Sequence, residues 1–131
     1  MSDISPHLWI ADMERSIAFY RDVLGFEVQR VQPETAPTFA SLRRGGVGLM
    51  LSTFDESFDG WKMVPAAQKR RGQGGAVSFY IEAGEDIEAE QRRATDANAN
   101  IVDALAARPW GQREYTVADP DGFWWAVWKA V

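Results

Sequence analysis

The chain of 131 residues contains no cysteine and a single histidine. Without cysteine the protein has no disulfide bond, no thiolate metal site and no cysteine nucleophile. No apolar run approaches the ~20 residues of a membrane-spanning helix, and no basic segment followed by an apolar one opens the chain. These absences predict a cytoplasmic protein that has no membrane partner.

Basic residues are also scarce, with 14 lysines and arginines against 19 aspartates and glutamates and a net charge of −5. Nucleic-acid binding needs a basic face that neutralises phosphates, so we expect no nucleic-acid partner. The one dense basic stretch, Lys69-Arg70-Arg71, lies in a polar, glycine-bearing segment and is typical of solvated surface. The acidic balance favours attraction of a cationic ligand instead.

Apolar residues make up 46% of the chain, and six of them are tryptophans. This fraction is typical of a globular protein, and the length is that of one domain. Tryptophan rings serve cores, but they also serve as stacking walls in binding clefts. The composition is therefore consistent with a folded domain that has an aromatic binding cleft.

The first half of the sequence has the pattern strand, helix, strand, strand, strand. Residues 5–10 alternate as a strand does, and Asp12 then has the chemistry of a helix N-cap. Apolar residues recur at helical spacing up to Gly25, which is placed where a left-handed C-cap ends a helix. Three strand-like segments follow, at 26–31, 38–43 and 47–53.

The same pattern returns after a polar stretch at 54–75 that has no clear period. Residues 86–97 have helical spacing, and a strand-like segment at 76–82 precedes them. The remaining strand-like segments are 101–107, 113–118 and 123–129. We therefore predict an α+β fold in a single domain, 1–131, with one module at about 1–53, a connecting loop at about 54–75 and a second module at about 76–131.

Two motifs near the ends of the chain connect this pattern to a known family. The first is the capped helix from Asp12 to Gly25, and the second is the turn Asp119-Pro120-Asp121-Gly122 followed by an apolar strand. The two aspartates of this turn are expected to stabilise it through side chain-to-backbone hydrogen bonds. In this order, about a hundred residues apart, the motifs resemble the vicinal oxygen chelate family. That family includes glyoxalase I, extradiol dioxygenases, fosfomycin-modifying enzymes and bleomycin-resistance proteins, and the resemblance implies two βαβββ modules whose curved, mixed sheets form a cleft.

Metal-dependent members of that family hold a divalent ion with ligands on the first and last strands of each module. The resemblance places those ligand positions at Ser5, at or near Met50, at Ala76 or its neighbours, and at Ala126. Side chains of these types are poor ligands for a divalent ion, which prefers imidazole nitrogen or carboxylate oxygen. We therefore predict no metal and no cofactor.

Among family members, the metal-free bleomycin-resistance type is the most similar in its small size, acidity and aromatic content. This resemblance implies a homodimer that sequesters a bulky planar or cationic small molecule, such as a bleomycin-like antibiotic, in an aromatic cleft at the subunit interface. One alternative is a glyoxalase- or dioxygenase-like lyase or oxidoreductase with a displaced site around His7, Tyr80 and Glu82. Another is an interaction module whose cleft is filled.

Several side chains are candidates for contact with a ligand, because they lie on the inferred cleft face or are aromatic residues in polar loops. The predicted ligand-binding residues are His7, Trp9, Met50, Ser52, Trp61, Ser78, Tyr80, Trp110, Trp124 and Trp128. Trp124 and Trp128 flank Ala126 on one face of the last strand, where a small alanine leaves room for a flat ligand. The structural alternative is that these tryptophans fill a core, the cleft or a dimer interface. Nothing in the pattern supplies a nucleophile, a base and an orienting partner, so we predict no catalytic residue.

Overall fold

The computed structural model describes residues 4–53 and 77–131. These residues form two four-stranded sheets, one from each half of the chain, and each half also contributes one helix. Trp61, the basic stretch Lys69-Arg70-Arg71, Ala76 and the whole predicted connecting loop lie outside the described residues. Neither of the described helices is long and apolar enough to cross a membrane.

Module one begins with a short strand and a capped helix. The Asp12 carboxylate accepts a hydrogen bond from the backbone N–H of Arg15 at 3.1 Å, and Gly25, just after the helix, has a positive φ of 71°. The elements are β1 His7–Ile10, α1 Met13–Asp22, β2 Glu27–Gln32, β3 Phe39–Arg44 and β4 Val47–Thr53. Their order in the sheet is β1-β4-β3-β2, with β1 parallel to β4 and the other pairs antiparallel.

Module two repeats this topology. The Asp86 carboxylate accepts a hydrogen bond from the backbone N–H of Ala89 at 3.0 Å, so the second helix is capped as the first one is. The elements are β5 Ser78–Glu82, α2 Ile87–Asp96, β6 Asn100–Ala107, β7 Gln112–Ala118 and β8 Trp124–Ala130. Their order is β5-β8-β7-β6, again with only the first pair parallel. The α+β fold of two βαβββ modules predicted from the sequence is confirmed, and the two compact units of the chain correspond closely to these modules.

Strand alternation decides which side chains of module two enter its core. In β8, Trp125 and Val127 are buried, and the Trp125 ring packs against Phe79 of β5 with 4.8 Å between ring centroids. Trp124 and Trp128 lie on the opposite face and are half-buried. One face of this sheet is therefore committed to the core, and the other face remains for a binding site.

The turn between β7 and β8 is built on the buried carboxylate of Asp119. Its Oδ1 accepts hydrogen bonds from the backbone N–H groups of Asp121 at 2.9 Å and Phe123 at 2.8 Å. The backbone N–H of Gly122 donates to the carbonyl of Asp119 at 2.8 Å, and Gly122 has a φ of 90° that favours glycine. The stabilising role expected for Asp119 is confirmed, and the turn delivers β8 to its place beside β7.

Replacing Asp119 tests how strongly this turn stabilises the fold. Asp119→Ala leaves two backbone N–H groups without their acceptor, and we expect a loss of about 1–3 kcal/mol in the free energy of unfolding. Asp119→Asn is the matched control, because it keeps a carbonyl oxygen at Oδ1 and should lose less. Urea unfolding followed by circular dichroism gives both values. An alanine variant as stable as the wild type would contradict this role.

Candidate functional site

A pocket of about 220 Å³ lies on the free face of the module-two sheet. Its small and aromatic lining residues are Ser78, Tyr80, Trp110, Thr116, Trp124 and Ala126. Strand register brings them together, because Tyr80 of β5 lies opposite Ala126 of β8, and Ala126 lies opposite Thr116 of β7. We call this the module-two pocket.

The polar part of the lining centres on Glu114 of β7. Its side chain lines the pocket, although the residue is only 4% exposed. Carboxylate Oε1 accepts a hydrogen bond of 2.5 Å from the indole N–H of Trp110. Tyr80 also donates a hydrogen bond to this carboxylate from its hydroxyl. Glu114 therefore lies between two aromatic side chains and accepts a hydrogen bond from each.

The phenol of Tyr80 stays protonated over the physiological pH range. Loss of hydration raises its pKa above the usual value of 10.0, and the charge of Glu114 and the hydrogen bond to it raise the pKa further. The positive charge of Arg108 acts in the opposite direction and is the weakest of these effects. Tyr80 is consequently a hydrogen-bond donor in this pocket, and it supplies no negative charge.

The connection between β6 and β7 places Trp110 over the pocket. Arg108 Nη2 pairs with Asp103 at 2.9 Å and donates to the carbonyl of Ala104 at 3.2 Å. The backbone N–H of Gly111 donates to the carbonyl of Arg108 at 3.1 Å, and Gly111 has a φ of 87°. These contacts close a tight turn, so the position of Trp110 is fixed even though its side chain is 61% exposed.

Module one has a second group of side chains on one face of its sheet. His7 Nε2 lies 2.7 Å from Ser52 Oγ, and the imidazole stacks on Trp9 with 5.0 Å between ring centroids. Phe39 meets the same imidazole edge-on at 6.4 Å. Partial burial lowers the pKa of His7 below its usual 6.5, so the ring is neutral near pH 7. The arrangement has a hydroxyl and an imidazole in contact.

The predicted ligand-binding residues fall into three groups. Those that line the module-two pocket are Ser78, Tyr80, Trp110 and Trp124. Those on the module-one sheet are His7, Trp9, Met50 and Ser52, of which Met50 lies directly opposite His7 in the register and Ser52 opposite Trp9. Trp61 lies outside the described residues, and Trp128 shares a strand with Trp124 but is not part of the pocket lining.

Sequence reasoning missed four lining residues, which are Asp103, Arg108, Glu114 and Thr116. For two of them a signal was present. Tyr115 and Val117 are the large apolar members of the predicted strand 113–118 and alternate with Glu114 and Thr116, so Glu114 and Thr116 had to share the other face. Asp103 and Arg108 gave no such signal, because their positions depend on how the β6–β7 connection folds back.

Three of the four positions at which the family resemblance places metal ligands are described, and their side chains do not suit a metal ion. Ala126 is 3% exposed and presents a methyl group to the module-two pocket, and Met50 presents a thioether on β4. Ser5 lies before the start of β1. Across residues 4–53 and 77–131, no group of three or more histidine, cysteine, aspartate or glutamate side chains is placed to hold a metal ion. Ser5, Met50 and Ala126 thus supply no imidazole nitrogen or carboxylate oxygen to a divalent ion.

Two βαβββ modules and a pocket on the open face of one sheet define the class of this protein. Residues 5–127 match the sequence model of the Glyoxalase/Bleomycin resistance protein/Dioxygenase superfamily, and the chain belongs to this superfamily. An uncharacterized protein of Mycobacterium bovis is 33% identical over 131 residues, which cover 98% of this chain and 83% of that protein.

Solved structures show the same fold. TioX from Micromonospora sp. ML1 is 26% identical with a TM-score of 0.74, and the match covers 100% of both chains. TnmS3, an antibiotic binding protein from Streptomyces sp. CB03234, is 19% identical with a TM-score of 0.69, and the match covers 100% of this chain and 98% of that one. The resemblance stated from the two sequence motifs is therefore confirmed at the level of the superfamily.

The single histidine gives a direct test of the module-one group. A proton NMR titration of protein without a tag reports His7 alone, and we expect a midpoint below 6.5 because partial burial disfavours the charged ring. Trp9→Ala uncovers one face of the imidazole and should move the midpoint back towards 6.5. A wild-type midpoint at or above 6.5 would contradict the described packing.

Proposed function

We propose that the protein binds a small planar molecule in the module-two pocket without a metal ion, and that it sequesters this molecule as a homodimer. The observation that carries the proposal is the lining at Ala126. This residue stands where the family resemblance places a glutamate ligand, and it lies among aromatic side chains. A methyl group supplies no ligand atom to a divalent ion but offers a flat ring a surface to contact. Burial and stacking are therefore the main sources of affinity.

Two exposed aromatic side chains at the rim favour such a ligand. Tyr80 is 57% exposed and Trp110 is 61% exposed, so a ligand that covers them removes apolar surface from water. Each Å² removed is worth about 25 cal/mol. Stacking adds about 0.5–1.5 kcal/mol for each aromatic pair. Trp124 supplies a third ring to the lining, which extends the surface available to a fused ring system.

The volume of the pocket supports a site shared by two subunits. Pockets for drug-sized ligands usually enclose about 300–1,000 Å³, whereas the module-two pocket encloses about 220 Å³. It accommodates one ring system of a larger molecule, and the rest of that molecule needs a second surface. We propose that a second copy of the chain supplies this surface, so that the ligand lies at the subunit interface.

The superfamily also includes enzymes, since its name lists glyoxalase and dioxygenase. An enzymatic function is therefore the alternative to ligand binding. An antibiotic binding protein, TnmS3, shares the fold, so the scaffold is compatible with binding of such a molecule. The donor chemistry at Met50 and Ala126 does not suit the metal on which the enzymatic members of the family depend. This difference is why we propose binding in preference to metal-assisted catalysis.

Two tryptophans on the same strand provide a matched test of the site. Isothermal titration calorimetry with bleomycin and with 9-aminoacridine should give saturable binding to the wild type. Trp124→Ala should weaken binding about tenfold or more, because it removes a ring from the lining. Trp128→Ala removes the same kind of side chain four residues further along β8, opposite Glu114 but outside the pocket lining, and should change the dissociation constant less than threefold. No saturable binding of either probe would contradict the proposal.

The subunit arrangement has its own measurement. Sedimentation velocity should give a mass twice the 14.7 kDa of one chain, and this mass should persist when ligand is added. A species with the mass of a single chain, in the presence of a probe that binds, would contradict the shared site while leaving the module-two pocket intact.

A further inference from the structure

Glu114 is a buried carboxylate that two neutral groups hold in the module-two pocket. The residue is 4% exposed, and its hydrogen-bond donors are the Trp110 indole and the Tyr80 hydroxyl. Burial of a carboxylate is unfavourable unless hydrogen bonds and an opposite charge compensate the lost hydration. The indole and the hydroxyl are neutral, so they supply hydrogen bonds to the carboxylate but no opposite charge.

The nearby arginines of module two do not supply that charge. Arg108 pairs with Asp103, and its contact with Glu114 is a long one of 3.5 Å to the backbone carbonyl. Arg113 pairs with Glu88, and Arg93 lies near Glu90. Among the residues that the structure describes, no basic nitrogen lies within 4.0 Å of the Glu114 carboxylate. Since residues 4–53 and 77–131 supply no such charge, a cationic ligand in the pocket would compensate this carboxylate.

The geometry around Glu114 suits a cationic nitrogen. A carboxylate has about four lone-pair positions for hydrogen bonds, and Trp110 and Tyr80 occupy two. The indole N–H of Trp110 and the hydroxyl of Tyr80 meet the carboxylate, so the two rings flank it through their polar edges. An ammonium or guanidinium group here would donate to the remaining lone-pair positions of the carboxylate, between the two rings.

We propose that Glu114 is a specificity-determining residue, which binds a protonated nitrogen of the ligand between Tyr80 and Trp110. This inference rests on the proposed function, since it assigns a chemical group to the ligand of the same pocket. The ligand class is an aromatic molecule that carries an amine, amidine or guanidine. The aromatic part contacts the Trp124 and Ala126 wall, and the cation lies at Glu114.

A matched pair of probes separates charge from shape. Naphthylethylammonium and its neutral counterpart naphthylethanol have the same ring and chain, and calorimetry at pH 7.5 measures the affinity of each. For the wild type we expect the cation to bind at least tenfold more tightly than the alcohol. The charge-assisted hydrogen bond accounts for this difference.

Glu114→Gln keeps an oxygen that can accept from Trp110 and Tyr80 but removes the charge. We expect it to weaken binding of the cation at least tenfold and to leave the alcohol within threefold. Glu85→Gln is the control, because it changes the net charge equally at an exposed residue before α2 that is not part of the pocket lining. Its effect on both probes should stay within threefold.

Three outcomes would overturn the inference. Equal wild-type affinity for the two probes shows that the pocket does not select charge, and this result needs no variant. A parallel loss of both probes in Glu114→Gln shows that Glu114 serves only to position the aromatic rings. In both cases binding of the alcohol still supports the proposed function. The third outcome, no binding of either probe, overturns the inference, and it overturns the proposed function as well if bleomycin and 9-aminoacridine also fail to bind.

Discussion

The hydrogen bonds of the Asp119 carboxylate set the register on which the module-two pocket depends. By accepting from the N–H groups of two residues in the turn, Asp119 places Trp124 opposite Ala118 and Ala126 opposite Thr116. A shift of one residue would exchange the two faces of β8. Trp125, now buried, would then lie on the pocket face. A single buried carboxylate thus decides that the pocket has an alanine and a tryptophan in its lining.

The two modules use the same scaffold and carry different side-chain chemistry. Asp12 and Asp86 cap their helices in the same way, and each first strand runs parallel to the last strand of its module. Module one presents a histidine and a serine in contact, with aromatic rings around them. Module two presents a carboxylate held by an indole and a phenol. The two modules thus share a backbone fold but differ in the side chains on one sheet face. The same fold can therefore carry two kinds of binding chemistry.

Much of the fold could be predicted from the sequence, because it depends on local signals. An aspartate N-cap, a glycine after the helix and the turn Asp119-Pro120-Asp121-Gly122 each act over a few residues, and strand alternation sorts side chains between two faces. The site was predicted less completely. Four of the predicted residues line the pocket, but its charged group, Glu114, was not among them.

The missing part of the site depends on tertiary contacts. Alternation along β7 puts Glu114 and Thr116 on one face but does not say that this face lines a pocket. The hydrogen bond from Trp110 to Glu114 forms only when the β6–β7 connection folds over the sheet, and the Arg108–Asp103 pair helps to hold it there. Trp128 shows the converse case, since it shares the face of Trp124 and lies opposite Glu114 but is not part of the pocket lining.

The central claim is that binding uses the aromatic pocket and no metal ion, and a titration before and after exhaustive dialysis against a chelator tests it most directly. With 9-aminoacridine as the probe, the account predicts the same dissociation constant, within twofold, for untreated protein, chelated protein and chelated protein resupplied with divalent ions. Loss of binding on chelation and its recovery on addition of one divalent ion would contradict the account.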